Sequence, residues 1–446
     1  MMISLNKLFR PLSIVVIGYF ANLLVSVMLT KMISIEHFGL INYAITMLSI
    51  TSSLILFGTN SSSRRFLNAY LFEHREHKVK DYINWNLNII FVPLKISYII
   101  SLILFFYVDP LELFFIGRIT EVTQIVTYLF VASPLIATNQ LIAIFLYCDD
   151  QIAVSTFLNQ IGFYSLMLIS LSLIYFLKTA TGHHSHQVSL ANTLTVMFSC
   201  NLVLFFISIC TLKIKSPHLY NYIRKFNKNK HVSKESNEWL TSTKRQLLLN
   251  VTIQFSGRID YILLVLFSPT GIQLALYGIA TKITSSILLI PTGLFKYVQN
   301  RISVDLKSDE RKQDFQKLWN NTMKYNVFLT LTLALLIQNC QPFLASVYGP
   351  KYLPAMDIIK ILNLRYLISS ISGSSNALLQ FSGHVNKVSY GYGIKVIIFL
   401  ISSVILYPLY MLNGIAYASL ISTIFFQIYI FICVRYFIKI KPFGIF

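Results

Sequence analysis

Long apolar stretches alternate with short polar or basic segments along the whole chain. Each stretch has about 20 residues, the length that a helix needs to cross a bilayer core roughly 30 Å thick. The pattern therefore predicts twelve transmembrane helices. In the first half they are residues 11–30, 39–60, 86–107, 123–147, 153–177 and 190–212, and in the second half 247–267, 273–293, 325–347, 356–381, 388–410 and 413–434.

The two sets of six spans follow each other with a nearly constant offset. A shift of 234 residues places Tyr43 on Tyr277, and the starts of most spans shift by similar amounts. We interpret this as two pseudo-symmetric six-helix lobes, residues 1–212 and 247–446, of the same orientation in the membrane. The predicted fold class is an all-α membrane protein with twelve transmembrane helices in two lobes around a central cavity. A cavity that opens alternately to each face would make the protein a transporter.

A polar, basic segment, residues 213–246, joins the two predicted lobes. We expect it to be a cytoplasmic linker whose only regular element is a surface helix around Leu219 to Phe226.

The distribution of basic residues sets the orientation of the chain. Hydrophobic residues make up 55% of the sequence, and the net charge is +20. Of the 37 Lys and Arg, 27 lie in the segments that are cytoplasmic if the N-terminus is cytoplasmic, and four lie in the outer loops. This asymmetry follows the positive-inside rule. It predicts that both termini are cytoplasmic, and it attributes the positive charge to orientation and contact with membrane lipids rather than to nucleic-acid binding.

Motifs for enzyme chemistry are absent from the sequence. The five cysteines form no CxxC pair, and the HHSH segment, His183 to His186, has no carboxylate nearby, so we expect no metal site and no cofactor. No Walker A, GxSxG or HExxH pattern occurs. The longest predicted outer loop has only 15 residues, which disfavours a membrane glycan polymerase. We therefore expect a transporter and not an enzyme.

Three stretches resemble a known family, the oligosaccharide and polysaccharide (O-antigen type) flippases of the multidrug/oligosaccharidyl-lipid/polysaccharide exporter superfamily. They are HFGLINYAITMLSITSSLILFGTNSSSRRF, His37 to Phe66; RIDYILLVLFSPTGIQLALYGIATKI, Arg258 to Ile283; and VYGPKYLPA, Val347 to Ala355. The sequence departs from the family pattern at Gly278, where Ala is common, and at Asp149 and Asp150, where a Gly and a basic residue are common.

Several charged residues lie deep within the predicted spans. The deep cations are Lys95, Arg258, Lys282, Arg365 and Lys395, and Asp260 is the one carboxylate at comparable depth. A charge near the bilayer centre costs about 2.5–3.5 kcal/mol on insertion scales, so such residues face protein or water. Asp260 is expected to form an ion pair, for example with Lys282, or to serve in coupling. We expect Asp357 and Lys360 to form a local pair near the outer mouth.

The surplus of positive charge favours an anionic ligand, because Arg and Lys bind phosphate oxygens well. The resemblance implies that this ligand is the diphosphate of an undecaprenyl-linked oligosaccharide, flipped across the bacterial inner membrane for O-antigen or a related surface polysaccharide. Polysaccharide polymerase machinery is then a further expected partner. The sugar would be received by polar residues such as Asn22, Asn139, Gln140, Gln254 and Asn376. The alternative is a cation-coupled multidrug antiporter of the same superfamily, which would be expected to carry more carboxylates at membrane depth.

Overall fold

The computed structural model describes residues 5–112, 119–180, 188–226, 235–267, 271–295, 298 and 309–440, and every regular element in these ranges is helical. In the first half the helices are α1 (Leu5–Met32), α2 (Ile35–Ile55), α3 (Thr59–Phe72), α4 (Glu76–Glu112), α5 (Ile119–Cys148), α6 (Ile152–Thr156), a π-helical turn (Phe157–Gly162), α7 (Phe163–Ala180), α8 (Leu190–Lys215) and α9 (Pro217–Arg224).

The second half continues the all-helical pattern. It contains α10 (Ser236–Phe267), α11 (Gly271–Thr284) followed by a 3₁₀ turn (Ser285–Leu288), α12 (Asp309–Asn339), α13 (Gln341–Tyr348), α14 (Ala355–Ile371), α15 (Ser375–Phe381), α16 (Val385–Tyr410) and α17 (Leu412–Cys433). A second π-helical turn, Val434–Ile438, extends α17.

Ten helices in the described residues are long and apolar enough to cross a membrane, and a bent pair raises the number to eleven. The bent pair consists of residues 312–339 and Gln341–Tyr348, which meet at an angle of 59°. The remaining predicted span, residues 356–381, is the tenth along the chain and corresponds to α14 and α15, which are separated by a short break. The prediction of an all-α membrane protein is confirmed, and each of the twelve predicted spans has a helical counterpart.

The break between α14 and α15 has a local cause. Gly373 has a φ of +60°, a conformation that favours glycine. A Cβ at this position would lie 2.7 Å from Cζ of Phe295 and 2.8 Å from the sulfur of Met323. Glycine therefore permits both the left-handed turn and the close packing of these two side chains against the backbone.

By its contacts the chain divides into two compact units. The first consists of residues 31–254 and is called the 31–254 unit. The second unit consists of residues 1–30 together with residues 255–446. These limits differ from those of the predicted lobes in two ways. Residues 1–30 of α1 group with residues 255–446, and the 31–254 unit extends into α10. The predicted lobes concern the pseudo-symmetry of the spans, which the contacts do not test, so the division at 1–212 and 247–446 stays a prediction.

The unit of residues 31–254 is built around α5, which packs against α2, α4 and α8. A cluster of aromatic rings lies at one end of its core. Tyr82 and Trp239 are buried with their ring centroids 5.3 Å apart, and the rings of Tyr70 and Trp85 pack against Trp239. Because Trp239 belongs to the first turns of α10, this cluster holds the start of α10 in the unit.

Part of the predicted linker is helical. α9 overlaps the predicted surface helix. Leu219 is fully buried in the core of the 31–254 unit, so this helix packs on protein. α10 begins at Ser236, ten residues before the predicted end of the linker at 246. The HHSH segment, His183 to His186, and linker residues 227–234 lie outside the described residues.

In the second unit α14 packs against α11, α12 and α17, and α17 packs along α16. Polar side chains on these helices face one another in the interior, while many large apolar side chains, such as Ile401 and Leu335, are exposed. Exposed apolar surface of this kind is expected where helices face lipid.

Candidate functional site

Asp260 lies in the interior of the second unit, where side chains from two other helices contact it. Its side chain, on α10, is almost completely buried. Oδ2 accepts a hydrogen bond of 2.9 Å from the hydroxyl of Tyr277 on α11, and Oδ1 accepts one of 3.0 Å from the backbone N–H of Tyr261. Nη1 of Arg365 on α14 lies 3.5 Å from Oδ2. The carboxylate is therefore contacted by one cation and two hydrogen-bond donors.

Arg365 is buried and retains unused hydrogen-bonding capacity. Its side chain is 7% exposed, and its Cζ lies 4.9 Å from the ring centroid of Tyr366. Nη1 forms an ion pair with Asp260 but has no hydrogen-bond partner among the described residues. A guanidinium stays charged in proteins. The buried Nη1 group can therefore donate a hydrogen bond to a further anionic or polar ligand.

Lys395, on α16, lies beside this ion pair. Asp260, Arg365 and Lys395 line one narrow pocket together with the serine side chains Ser256, Ser419 and Ser422. The Nζ of Lys395 lies 5.6 Å from the ring centroid of Phe426, and its charge interacts with those of Arg365 and Asp260. The pocket thus holds two cations and one carboxylate.

Lys282 and Arg258 are two further cations of the same unit. Nζ of Lys282, on α11, lies 3.3 Å from the hydroxyl of Ser26 on α1, and the hydroxyl of Tyr19 donates to the carbonyl of Lys282. Arg258, on α10, is half-buried, and its charge acts on Lys282. Like charges at short range repel, so a bound anion would stabilise this arrangement.

Lys95 belongs to the 31–254 unit and not to this cluster. It is exposed on α4, where its Nζ lies 4.6 Å from the ring centroid of Phe91. Neighbouring side chains on the same face, Val92 and Ile96, are also exposed. Four of the five predicted cations, together with Asp260, thus fall in one unit, and Lys95 falls in the other.

The structure decides two predicted ion pairs. The predicted pairing of Asp260 with Lys282 is wrong. The Asp260 carboxylate instead pairs with Arg365 and accepts a hydrogen bond from Tyr277, and Lys282 contacts Ser26. The local pair of Asp357 and Lys360 is confirmed, with 2.8 Å between Nζ and Oδ1 and both side chains exposed.

The predicted polar residues for the sugar do not lie together. Asn139 and Gln140 line a cavity of the 31–254 unit. Nδ2 of Asn376 donates to the Tyr392 hydroxyl over 3.2 Å. Asn22 is half-buried on α1, and Gln254 is half-buried on α10.

Sequence reasoning missed the neutral residues of the Asp260 pocket. Tyr277 was noticed only for its offset from Tyr43, although its hydroxyl binds Asp260. The serines Ser256, Ser419 and Ser422 carry no signal in the sequence, because single serines within apolar spans commonly bond to their own helix. Ser256 does not fit that explanation, since its buried hydroxyl has no hydrogen-bond partner in the described parts of the chain.

A resident metal ion has no evident ligand set in the described part of the chain. No group of three His, Cys, Asp or Glu side chains comes together there. Arg365 and Lys395 would also repel a cation close to Asp260. The chemistry of this site therefore favours binding of an anion.

Sequence comparisons leave the family of the chain open. No protein-family model matches the sequence, and no curated protein matches it.

Solved structures, by contrast, match over nearly the whole chain. An inward-facing multidrug resistance transporter of the MATE family, of the MOP superfamily, has a TM-score of 0.69 and 13% identity, covering 95% of this chain and 94% of that one. An outward-facing structure described in the same way has a TM-score of 0.66 and 14% identity, covering 97% and 95%. A mutant of the Vibrio cholerae MATE transporter VcmN has a TM-score of 0.62 and 13% identity, covering 96% and 97%.

These similarities establish the fold. The chain has the fold of the MATE transporters of the MOP superfamily. At 13–14% identity the similarity shows the fold alone.

Proposed function

We propose that the protein is a membrane transporter that works by alternating access. The support is the fold, because the solved structures that share it are transporters in both inward-facing and outward-facing conformations.

We further propose that the substrate is anionic, and that it is the diphosphate of an undecaprenyl-linked oligosaccharide. The observation that carries this proposal is the charge balance around Asp260. In the described part of the second unit, Arg258, Lys282, Arg365 and Lys395 accompany a single carboxylate at their depth. Burying surplus cations is costly unless a ligand or water receives them. Phosphate oxygens suit both Arg and Lys.

The Asp260–Arg365 pair suggests how such a substrate binds and leaves. Without substrate, Asp260 holds Arg365 in place and limits the net charge of the pocket. The pocket is too narrow for a phosphate in this conformation, so a phosphate that enters must first widen it. It can then bind Nη1 of Arg365, the Ser256 hydroxyl and the Lys395 ammonium, which line the same pocket. When the phosphate leaves, the carboxylate again neutralises the guanidinium. Asp260 is then a competing anion that keeps binding reversible.

A second candidate function is a cation-coupled multidrug antiporter. The similar solved structures are described as multidrug resistance transporters, and another is a MATE transporter in complex with Rb⁺. These descriptions fit the antiporter better than the flippase. In such a protein Asp260 would be the group that exchanges a cation or proton. Against this role, Asp260 is already paired with Arg365 and bonded to Tyr277.

The decisive experiment compares Arg365→Ala and Arg365→Lys with the matched control Lys360→Ala, which removes an exposed cation from the same helix. Each is produced at equal level in cells that lack the wild-type gene, and surface glycan and inner-leaflet lipid-linked repeat units are measured. We expect Arg365→Ala to reduce export about tenfold or more, consistent with loss of a charged contact. Arg365→Lys should retain more export, and Lys360→Ala should export normally.

Normal export by Arg365→Ala would refute the role of the cationic pocket. The same strains, tested for efflux of a cationic dye, separate the two candidates. Gradient-driven dye efflux that is lost in Asp260→Asn, with glycan export unchanged, would establish the antiporter instead.

A further inference from the structure

A second cavity lies wholly within the 31–254 unit, apart from the cationic cluster. It has a volume of about 170 Å³ and is bounded by α2, α5, the π-helical turn, α7 and α8. The polar side chains that line it are Ser49, Asn139, Gln140, Asn159, Tyr164 and Asn201. None of the lining residues is charged, so this cavity differs in chemistry from the pocket around Asp260.

The amide groups around the cavity are incompletely satisfied. Asn139 is 7% exposed, and its Oδ1 has no hydrogen-bond partner among the described residues. Gln140, which is half-buried, and Asn159, which is exposed, also line the cavity. A buried amide oxygen that has no hydrogen-bond partner destabilises the folded state, because it has lost its water without a replacement. A ligand with hydroxyl groups, which donate and accept, would satisfy these amides.

The backbone around the cavity is unusual in a way that places one of these amides. Asn159 lies within the π-helical turn Phe157–Gly162. Single π-helical turns are rare and are frequently found at functional sites, because they rotate side chains out of the regular helical register. At the end of this turn Gly162 allows Leu204 of α8 to approach, since a Cβ there would lie 2.6 Å from Cδ1 of Leu204.

We propose that this cavity binds a neutral sugar. The inference rests on the proposed function, in which the substrate carries an oligosaccharide. Side-chain amides offer a donor and an acceptor side by side, which matches adjacent sugar hydroxyls. The rings of Phe163 and Tyr164 also line the cavity and supply apolar surface for the C–H face of a sugar ring. A lipid chain would leave the amides unsatisfied, so the polar lining favours a sugar.

The test measures binding of free neutral sugars to the purified full-length protein. Glucose, galactose and N-acetylglucosamine are titrated one at a time, and binding is followed by saturation-transfer NMR in nanodiscs, which avoids detergents with sugar headgroups. The variants are Gln140→Met and Asn159→Leu, and the matched control is Gln124→Met, an exposed glutamine on the same helix as Gln140. Thermal unfolding is recorded for each variant.

We expect saturable binding of at least one sugar by the wild type. Gln140→Met and Asn159→Leu should each weaken it about fivefold or more, as expected for one lost hydrogen bond, at an unchanged unfolding temperature. Gln124→Met should bind as the wild type does. If no sugar binds, or if the two cavity variants bind as well as the control, the inference is wrong.

The outcome can be separated from that of the proposed function. Arg365→Ala changes a residue of the other unit, so the fraction of this variant that is folded, measured by thermal unfolding, should bind the free sugar normally while glycan export falls. If that variant loses export and the wild type binds no sugar, the proposed function stands and the sugar site fails. If Arg365→Ala exports glycan normally and the wild type binds sugar, the sugar site stands and the proposed role of the cationic pocket fails.

Discussion

At the scale of single residues, the buried ion pair between Asp260 and Arg365 links stability to function. Both side chains are less than one-tenth exposed, and the pair lies next to a second cation, Lys395. Removing one partner of a buried pair leaves an uncompensated charge, which is far more destabilising than removing both. The pair should therefore show strong coupling in a double-mutant cycle.

We predict that Asp260→Asn destabilises the protein by about 3–5 kcal/mol, because Arg365 then has no buried anion. The double change Asp260→Leu with Arg365→Met should recover most of this loss, because neither charge remains. Thermal unfolding in detergent measures both effects. Asp357→Asn serves as the control, since it breaks an exposed pair that contributes little. An unchanged unfolding temperature for Asp260→Asn would contradict the prediction.

The sequence predicted the depth of these charges but not their partners. Depth follows from distance along a span, whereas the partner depends on how helices pack and rotate. Asp260 was paired with Lys282 because the two lie on consecutive spans. In the structure α14 brings Arg365 to the carboxylate instead, and Lys282 faces Ser26 of α1. Contacts between residues distant in sequence leave no trace in a hydropathy pattern.

At the scale of elements, Glu235 fixes the end of the connecting segment to the 31–254 unit. Its carboxylate accepts a hydrogen bond of 2.8 Å from the Tyr70 hydroxyl and forms an ion pair with Lys78. The Tyr70 hydroxyl in turn accepts a hydrogen bond from Nε1 of Trp239 over 3.1 Å. α3, α4 and the start of α10 are thus joined through one carboxylate.

This tether should depend on pH. Hydrogen bonds from Lys78 and Tyr70 lower the pKa of Glu235, and burial raises the pKa of Tyr70 to about 12, so Tyr70 remains a donor near neutral pH. A lowered pKa in the folded state means that the stabilisation is present above the unfolded-state pKa and is lost as the pH falls through the folded-state pKa.

We predict that Glu235→Gln frees the start of α10, because a neutral amide pairs weakly with Lys78. Proteolysis in the connecting segment should become faster near neutral pH, and the acid-dependent change in Trp239 fluorescence should diminish. Glu238→Gln is the matched control, since its pair with Arg65 spans 3.6 Å and both side chains are mostly exposed. Equal proteolysis rates for Glu235→Gln and the control would argue against the tether.

The elements themselves were largely predictable, because a transmembrane helix needs an apolar run of fixed length. The exceptions occur where a local conformation interrupts the run. The 59° bend after Asn339 and the break at Gly373 were both predicted as continuous spans. A glycine or a proline within an apolar span is compatible with either outcome, and tertiary packing decides between them.

At the scale of the whole molecule, the order of spans along the sequence does not determine which helices share contacts. α1 precedes the other helices by position, yet Tyr19 and Ser26 on this helix both contact Lys282. Periodicity reports that a helix is buried or lipid-facing, but it does not report which distant helix covers it. The pseudo-symmetry of the two lobes and their central cavity therefore stay predictions.

The last prediction concerns orientation in the membrane. Of the 37 Lys and Arg, 27 lie in segments on one predicted side, and the positive-inside rule places that side in the cytoplasm. Thr179, at the end of α7, should then be outside, and Lys225, after α9, should be inside. In a background without the five natural cysteines, an impermeant maleimide should label Thr179→Cys in intact cells and Lys225→Cys only after permeabilisation. A permeant maleimide should label both, which controls for accessibility. Labelling of Lys225→Cys in intact cells would reverse the topology and, with it, the direction in which the transporter faces its substrate.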